Sequence, residues 1–394
     1  MLDEATAGKG LISTFQPIVS LPGRQIVGYE ALARWPAFGN LTPMQVLGHA
    51  HETDQLSVLG QACIRSALQG ALRGSSTPGM LLLINSEPRA THADLGGDHD
   101  FLRASTLFRL SFEFTERGLL VNPGALLRKV DALRSLGCCI ALDDVGANPD
   151  SLVLLDIVRP DIIKLDMTLV QDEPDRRQTR TIASILAHQE RTGAVICAEG
   201  IENEDHVERA IAFGSTLGQG NLFGVPGNLA PMADVAPWFE PLGYRPTDAR
   251  PSVSCLGKIE APARTIRGQT LDGFVKHIQD SALTAECTPI VLASLGEGRR
   301  HDQSVVAAYS RLAETSPLVA LYGRVRPPGL SPRIRWVDTG DDDQTDAAFV
   351  VALGPETVSG LTAYRLDEEQ FAMRLTFDRD GVTRTVIELL SRLP

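Results

Sequence analysis

Apolar positions along the chain alternate between two periods. Short runs bounded by turn residues predict strands at Phe15–Val19, Ile26–Ala33, Met80–Ile84, Arg109–Phe114, Cys139–Leu142, Asp161–Leu165, Ala194–Ala198 and near Leu217–Leu222. Apolar residues at helical spacing predict helices over Pro43–Leu72, Pro123–Leu136, Ser151–Val158, Asp175–Arg191 and Glu204–Phe213, with Thr42 as the cap before Pro43. Repeated strand–helix units of this length predict a parallel α/β sheet, and their number predicts a closed barrel. The pattern stops near Phe239. Pro241, Pro246, Pro251 and Pro262 punctuate the stretch that follows, which reads as a linker. Beyond it, Leu271–Thr284, Ser304–Glu314 and Val382–Leu393 predict helices. Pro289–Ser294, Leu318–Gly323, Ala347–Leu353, Gly360–Leu366 and Phe371–Phe377 predict strands of a smaller α/β domain. The expected organisation is a barrel over residues 1–240, a linker over 241–263 and a second domain over 264–394.

Asn85, Glu113, Asp143, Asp144, Lys164, Glu199 and Gln219 each fall at or near the end of a predicted strand. In a βα barrel those ends share one face, where active sites sit. Taken singly, a Glu at a strand end is usually solvated and an Asp-Asp pair is usually a turn. Taken jointly, with Glu30 in the second strand, they form an oxygen-rich set suited to hard divalent cations such as magnesium or manganese. Adjacent carboxylates such as Asp143-Asp144 repel, so a nearby cation is a natural compensation. Two such ions roughly 3.5–4 Å apart can both neutralise a phosphodiester and activate water, and a lysine can orient that water.

Composition narrows the classes. The chain has 394 residues, 43% of them hydrophobic, and a formal net charge of -12. That charge repels polymeric nucleic acid and anionic membrane alike. No apolar run is long enough to span a bilayer. The opening Met1-Leu2-Asp3-Glu4 lacks the basic and apolar regions of a signal peptide. Cys63, Cys138, Cys139, Cys197, Cys255 and Cys287 form no Cys-x-x-Cys pair. Both features lead us to expect a cytoplasmic protein with plain thiols.

Ordered blocks from Phe15 to about Pro226 resemble the EAL domain family. Phe15-Gln16-Pro17-Ile18-Val19 is similar to its opening block and Tyr29-Glu30-Ala31-Leu32-Ala33-Arg34-Trp35 to its signature. Asn85, Phe112-Glu113-Phe114-Thr115-Glu116, Leu142-Asp143-Asp144 with Gly146, Lys164-Leu165-Asp166, Ala198-Glu199-Gly200-Ile201-Glu202 and Gln219-Gly220 continue the series. The resemblance implies a modified TIM (β/α)8 barrel that uses magnesium or manganese to hydrolyse cyclic di-GMP to linear pGpG. It implies metal ligation by Glu30, Asn85, Glu113, Asp143, Asp144 and Glu199, with Glu30, Asp144, Lys164 and Glu199 carrying the catalysis. Gln16, Leu32, Arg34 and Gln219 would meet the ligand, Arg34 at a phosphate and Gln219 also supporting the site by hydrogen bonding. Glu116 and Glu202 would steady the loop after Asp144 and the metal shell. A homodimer formed near that loop is the family default.

The sequence departs from the family in places. Family members usually continue the double Asp with Phe-Gly-Thr-Gly-Tyr-Ser-Ser-Leu; here Val145-Gly146-Ala147-Asn148-Pro149-Asp150-Ser151-Leu152 follows. Pro149 fixes its own φ and restricts Asn148, which replaces a permissive glycine. Ser86-Glu87 follows Asn85, and Val225 stands where Arg is common. No metal ligand is lost, yet the loop motivates a second expectation, a catalytically inactive cyclic di-GMP receptor or interaction module.

Residues from about Arg264 resemble the DICT domain, found beside signalling modules and taken as sensory. The resemblance rests on Pro289-Ile290-Val291-Leu292-Ala293, Tyr309-Ser310-Arg311-Leu312-Ala313, Ala363-Tyr364 and Phe377-Asp378-Arg379-Asp380. It implies regulation of the barrel by a signal the sequence does not name. Trp336 reads more readily as a core or edge aromatic than as a ligand platform. The acidic run Asp338–Asp346 lacks calcium-loop spacing and reads as a solvated loop. His49 and His51, two apart on a helix, point to different sides and form no metal pair.

Overall fold

Strand and helix alternate through the first part of the computed structural model, which describes residues 1–39, 41–74, 78–88, 95–115, 119–148, 152–229, 261–294, 303–340 and 347–393. In chain order the elements are α1 (Leu2–Thr6), β1 (Ile12–Ser20), β2 (Ile26–Arg34), α2 (Pro43–Glu52), α3 (Leu56–Arg73), β3 (Met80–Asn85), α4 (His99–Leu107), β4 (Phe108–Thr115) and α5 (Pro123–Ser135). There follow β5 (Cys139–Val145), α6 (Val153–Val158), β6 (Ile162–Leu165), α7 (Met167–Gln171), α8 (Arg176–Thr192), β7 (Val195–Ala198), α9 (Glu204–Ala212) and β8 (Leu217–Gln219). Strands β1 to β8 close a barrel in sequence order. From β2 to β8 each strand is parallel to the next. Strand β1 is antiparallel to both neighbours. The link from Ser20 to Ile26 is too short for the crossover a parallel pair requires, so β1 and β2 form a hairpin.

The expected helix over Pro43–Leu72 is two helices. It starts as predicted, with Thr42 and Gln45 forming a capping box before Pro43. It breaks at Thr53–Gln55, where Asp54 takes a left-handed φ of 56°. Helix α4 has no counterpart in the sequence reading; its buried contribution is only Phe101 and Ala104.

The barrel interior follows the two-residue period of its strands. Ile18, Leu81, Leu83, Ala141, Ile162, Val195, Cys197 and Leu217 form one buried cluster. Two residues further along the same strands stand Asn85, Asp143, Lys164, Glu199 and Gln219. The period that plugs the barrel with apolar side chains therefore sets a polar ring above the plug.

The chain forms two compact units. One comprises Met1–Leu119, Arg128–Ala147 and Arg159–Thr247; the other comprises Leu120–Leu127, Asn148–Val158 and Asp248–Pro394. The expected linker lies largely outside the described residues, which resume at Ala261. The second unit continues with β9 (Arg264–Arg267), α10 (Gly268–Thr284), β10 (Ile290–Ser294), α11 (Gln303–Thr315), β11 (Val319–Gly323), β12 (Ile334–Asp338), β13 (Ala348–Leu353), β14 (Val358–Arg365), β15 (Gln370–Thr376) and α12 (Arg379–Ser391). Its seven-stranded sheet has the order β12-β11-β10-β13-β14-β15-β9. Val291, Ala293, Val319, Leu321, Val350 and Ala352 face one core with Leu271 and Ile278 of α10 and Leu312 of α11. Their alternating neighbours Ile290, Leu292, Ala320, Tyr322, Val351 and Leu353 face a second core with α12. Burial on both faces explains why these strands read as continuous apolar runs. Edge strands β9 and β12 were missed because neither carries such a run. Trp336 on β12 packs against the first core and over Gly323, as a core aromatic.

Candidate active site

Strand β5 is irregular where it matters. Leu142 pairs with Ile163 and Val145 pairs with Leu165, so Asp143 and Asp144 together oppose Lys164 alone. Two residues opposing one is a β-bulge, a device that re-aims side chains. Asp144 accordingly has a φ of 57°, and Gly146 one of 100°. A Cβ on Gly146 would lie 2.5 Å from Leu169 Cδ1, so the turn after the pair admits only glycine there. The bulge lets both carboxylates reach one place: oxygens of Asp143, Asp144 and Glu199 lie within 4.8 Å of one another.

Lys164, 1% exposed, is the hub of the site. Its Nζ lies 2.8 Å from Glu199 Oε1, 2.9 Å from Glu113 Oε1, 2.9 Å from Asp143 Oδ1 and 3.3 Å from Glu30 Oε2. Glu30, centred in β2, is also held by Asn85 Nδ2, which donates to Oε1 at 2.9 Å, and by Gln219 Nε2, which donates to Oε2 at 2.7 Å. Gln219 Nε2 also lies 3.0 Å from Gln16 Oε1, and Gln16 donates to the Gly224 carbonyl. These links fit the strand register, which sets Gln16 opposite Glu30 and Ile18 opposite Gln219. Gly220 follows because its backbone presses on Ile201; a Cβ would stand 2.1 Å from that carbonyl oxygen.

The charges are not matched. Burial works to lower the Lys164 ammonium, but Asp143, Glu113, Glu199 and Glu30 together hold it charged, well above its ordinary value. Burial, aided by Glu30, pushes the Glu113 carboxyl well above the carboxylate range. Burial also pushes Glu199 up to about 8 against the pull of Lys164. Burial opposes charge on Glu30 too, yet Lys164, Gln219 and Asn85 hold its carboxyl below the ordinary value. Both Glu113 oxygens and Asp143 Oδ1 are buried and carry no hydrogen bond beyond their ion pairs with the Lys164 ammonium, 2.9 Å from Glu113 Oε1 and from Asp143 Oδ1. A buried carboxylate with so few donors is costly. Carboxylates that outnumber their cations, with oxygens left over, form a donor set that fits hard divalent ions.

The remaining expected residues are more loosely placed. Leu32 and Arg34 lie at the end of β2, partly buried, with the Arg34 guanidinium donating to the Ala33 carbonyl at 2.9 Å. Glu202 is exposed and takes a 3.5 Å hydrogen bond from Asn221, with no contact to the ring among its described partners. Glu116, Pro149 and Asp150 lie outside the described residues. His49 pairs with Asp3 at 2.6 Å. One contributor was not anticipated. Lys129 of α5 donates to the Glu87 carbonyl and lies over the Phe114 ring at 5.6 Å, tying down the segment just after Asn85. A lone lysine in an amphipathic helix gives no sign of this from spacing alone.

The EAL domain profile matches residues 1–226. The chain belongs to the EAL domain family. An uncharacterized protein of Sinorhizobium fredii is 30% identical over 240 residues, 57% of this chain and 28% of its own length. The cyclic di-GMP phosphodiesterase RocR of Pseudomonas aeruginosa is 30% identical over 223 residues, 54% of this chain and 56% of its own length. The EAL chain thus spans between about a quarter and a little over half of these relatives. Similar solved structures include Klebsiella pneumoniae BlrP1 in a manganese and cyclic di-GMP complex, at 28% identity over 58% of this chain and 58% of that one, with a TM-score of 0.49. Another is the PaMucR phosphodiesterase in complex with c-di-GMP, at 25% identity over 56% of this chain and 98% of that one, with a TM-score of 0.46. Among the described residues no helix is long and apolar enough to cross a membrane.

Proposed function

We propose that this EAL protein hydrolyses cyclic di-GMP to linear pGpG with two magnesium or manganese ions held by Glu30, Asn85, Glu113, Asp143, Asp144 and Glu199. The carrying observation is the ring around Lys164, whose carboxylates exceed its positive charge and leave buried oxygens with no hydrogen bond beyond those ion pairs. Membership of a family whose relative RocR is named a cyclic di-GMP phosphodiesterase supports the same reading. Bound ions would offset phosphodiester charge and make water a better nucleophile. Water adds to one phosphorus, the bond from that phosphorus to the 3′ oxygen breaks, and the 3′ oxygen leaves with a proton. Lys164 orients the attacking water and stabilises charge on the phosphate oxygens. Gln219 and Asn85 fix the Glu30 carboxylate, and Gln16 holds Gln219. Leu32 and Arg34 at the end of β2 meet the ligand, Arg34 at a phosphate. The second unit serves as a sensory, regulatory domain.

Purified protein incubated with cyclic di-GMP and magnesium or manganese should release pGpG on chromatography. No product at any metal concentration, with heat of binding still seen by calorimetry, would replace the enzyme with a silent receptor. The altered loop sequence from Val145 to Asp150 motivates that second reading.

A further inference from the structure

The peptide unit that joins Gly200 to Ile201 is held at both of its polar ends. Its carbonyl oxygen accepts from Gln171 Nε2 at 2.8 Å. His206 Nδ1 lies 3.3 Å from the same oxygen. Its N–H donates to the Gln219 carbonyl at 3.1 Å. A peptide unit is planar, so fixing the carbonyl also fixes the direction of the N–H. Gln171 is the last residue of α7. Helix α7 comes close to this turn because Gly200 has no side chain; a Cβ there would stand 2.6 Å from Met167 Cβ. Arg209 of α9 donates to the Val170 carbonyl at 2.6 Å and pairs with Glu173 at 2.9 Å, which pins the chain on either side of Gln171.

Two contributors to the site hang from this peptide. Glu199 immediately precedes Gly200, and its carboxylate lies 2.8 Å from Lys164 Nζ and clusters with Asp143 and Asp144. Gln219, bound through its backbone to Ile201, donates from its side chain to Glu30 Oε2 at 2.7 Å. A chain of hydrogen bonds therefore runs from Gln171 through one peptide to Gln219 and on to Glu30, with Glu199 at its branch. Among its described partners Gln171 touches no ring carboxylate, so any effect on the ring passes through that peptide.

We propose that Gln171 is a positioning residue for the cation site, holding the Gly200–Ile201 peptide so that Glu199 and Gln219 face the ring. Outer partners of metal-binding groups fix the direction of those groups in this way. This rests on reading the carboxylate ring as a divalent-cation site.

The test uses the full chain and manganese alone. Calorimetry would measure Mn2+ binding by wild type, Gln171→Met, Gln171→Glu and Gln178→Met, with melting temperature taken on the same samples. Gln171→Met keeps the length of the side chain and loses the donor. It should weaken Mn2+ binding by roughly 2- to 30-fold, the range over which side chains without contact to a ligand modulate its site. Gln171→Glu keeps the shape but sets an acceptor against the carbonyl. Its added negative charge would by itself favour a cation, so a loss there too assigns the effect to the hydrogen bond. Gln178→Met is the structural control. Gln178 Nε2 donates to the Thr168 carbonyl of the same helix at 3.4 Å, and its loss should lower the melting temperature and leave Mn2+ affinity unchanged. Unchanged affinity in Gln171→Met, tighter binding in Gln171→Glu, or an equal loss in Gln178→Met would each overturn the proposal and leave Gln171 a residue that only packs the turn. No Mn2+ uptake by the wild type would overturn the cation-site reading and this inference with it, a result distinct from any difference between variants.

Discussion

Replacing Lys164 by Met should make the barrel depend on divalent cations for its stability. The substitution keeps most of the side-chain volume and removes the ammonium. In the native site that ammonium lies 2.8–3.3 Å from Glu30, Glu113, Asp143 and Glu199 and is almost wholly buried. Removing one partner of a buried ion pair costs about 3–5 kcal/mol. The loss here does not multiply by four, because crowded carboxylates relieve one another by taking up protons. At about 2–4 °C per kcal/mol, the metal-free variant should melt roughly 6–20 °C below wild type. Cations bound in the ring would replace the lost charge, so added Mn2+ should raise the variant's melting temperature by more than it raises that of wild type. Scanning fluorimetry in chelator and across a manganese series measures both quantities. Equal metal-free melting temperatures would show that Lys164 does not hold the ring together. A metal-induced rise no larger than in wild type would show that the cations do not share its charge-balancing role.

Glu30→Gln preserves the side-chain shape but removes one of the proposed metal-binding carboxylates; pGpG release should fall by more than the roughly 10–100-fold typical of outer-shell changes, measured by chromatography at saturating metal. Burial pushes the Lys129 amine down to about 7, from an ordinary 10.5. Because the folded-state value is depressed, the stability linked to this group is full above the unfolded-state value of 10.5 and is lost as pH falls through about 7. Lys129→Met should therefore melt higher than wild type near pH 7, with the gap closing towards alkaline pH; a gap independent of pH would refute the depressed Lys129 value. Burial also pushes the Cys63 and Cys138 thiols up to about 12 and Cys139 up to about 11. A Cys255→Ser chain should hence react with a thiol reagent at pH 8 only after unfolding, and prompt native labelling would contradict this.

The barrel was legible because its strands are buried on both faces and end abruptly in polar residues. Leu81-Leu82-Leu83-Ile84 followed by Asn85, or Ile162-Ile163 followed by Lys164, needs no partner to be recognised. The carboxylate ring was legible for the same reason, since the two-residue period carries each polar side chain to the same interior as the apolar one before it. The bulge was not. Asp143-Asp144 as a dipeptide says nothing of whether one or both point inward; the register against β6 decides that, and register is a non-local property. The break in the expected helix over Pro43–Leu72 was hidden because Asp54, not glycine, adopts the left-handed turn. The ownership of α6 was hidden because an apolar residue does not say whose core it joins. Val153 and Ile157 satisfy a barrel helix and a foreign core equally well on paper.

That shared core also orders events during synthesis. Leu127, Val153 and Ile157 leave the ribosome long before Val382, Val386 and Leu389 of α12, their partners at the far end of the chain. At about 5–20 residues per second, roughly 10–50 s pass between the two. Throughout that interval the core that covers this apolar helix, directly after the residues that would bind metal, lacks its α12 side. The packing around Val153 and Ile157 is thus completed only once α12 has been made, and a ribosome stalled near residue 300 would leave these apolar side chains partly uncovered.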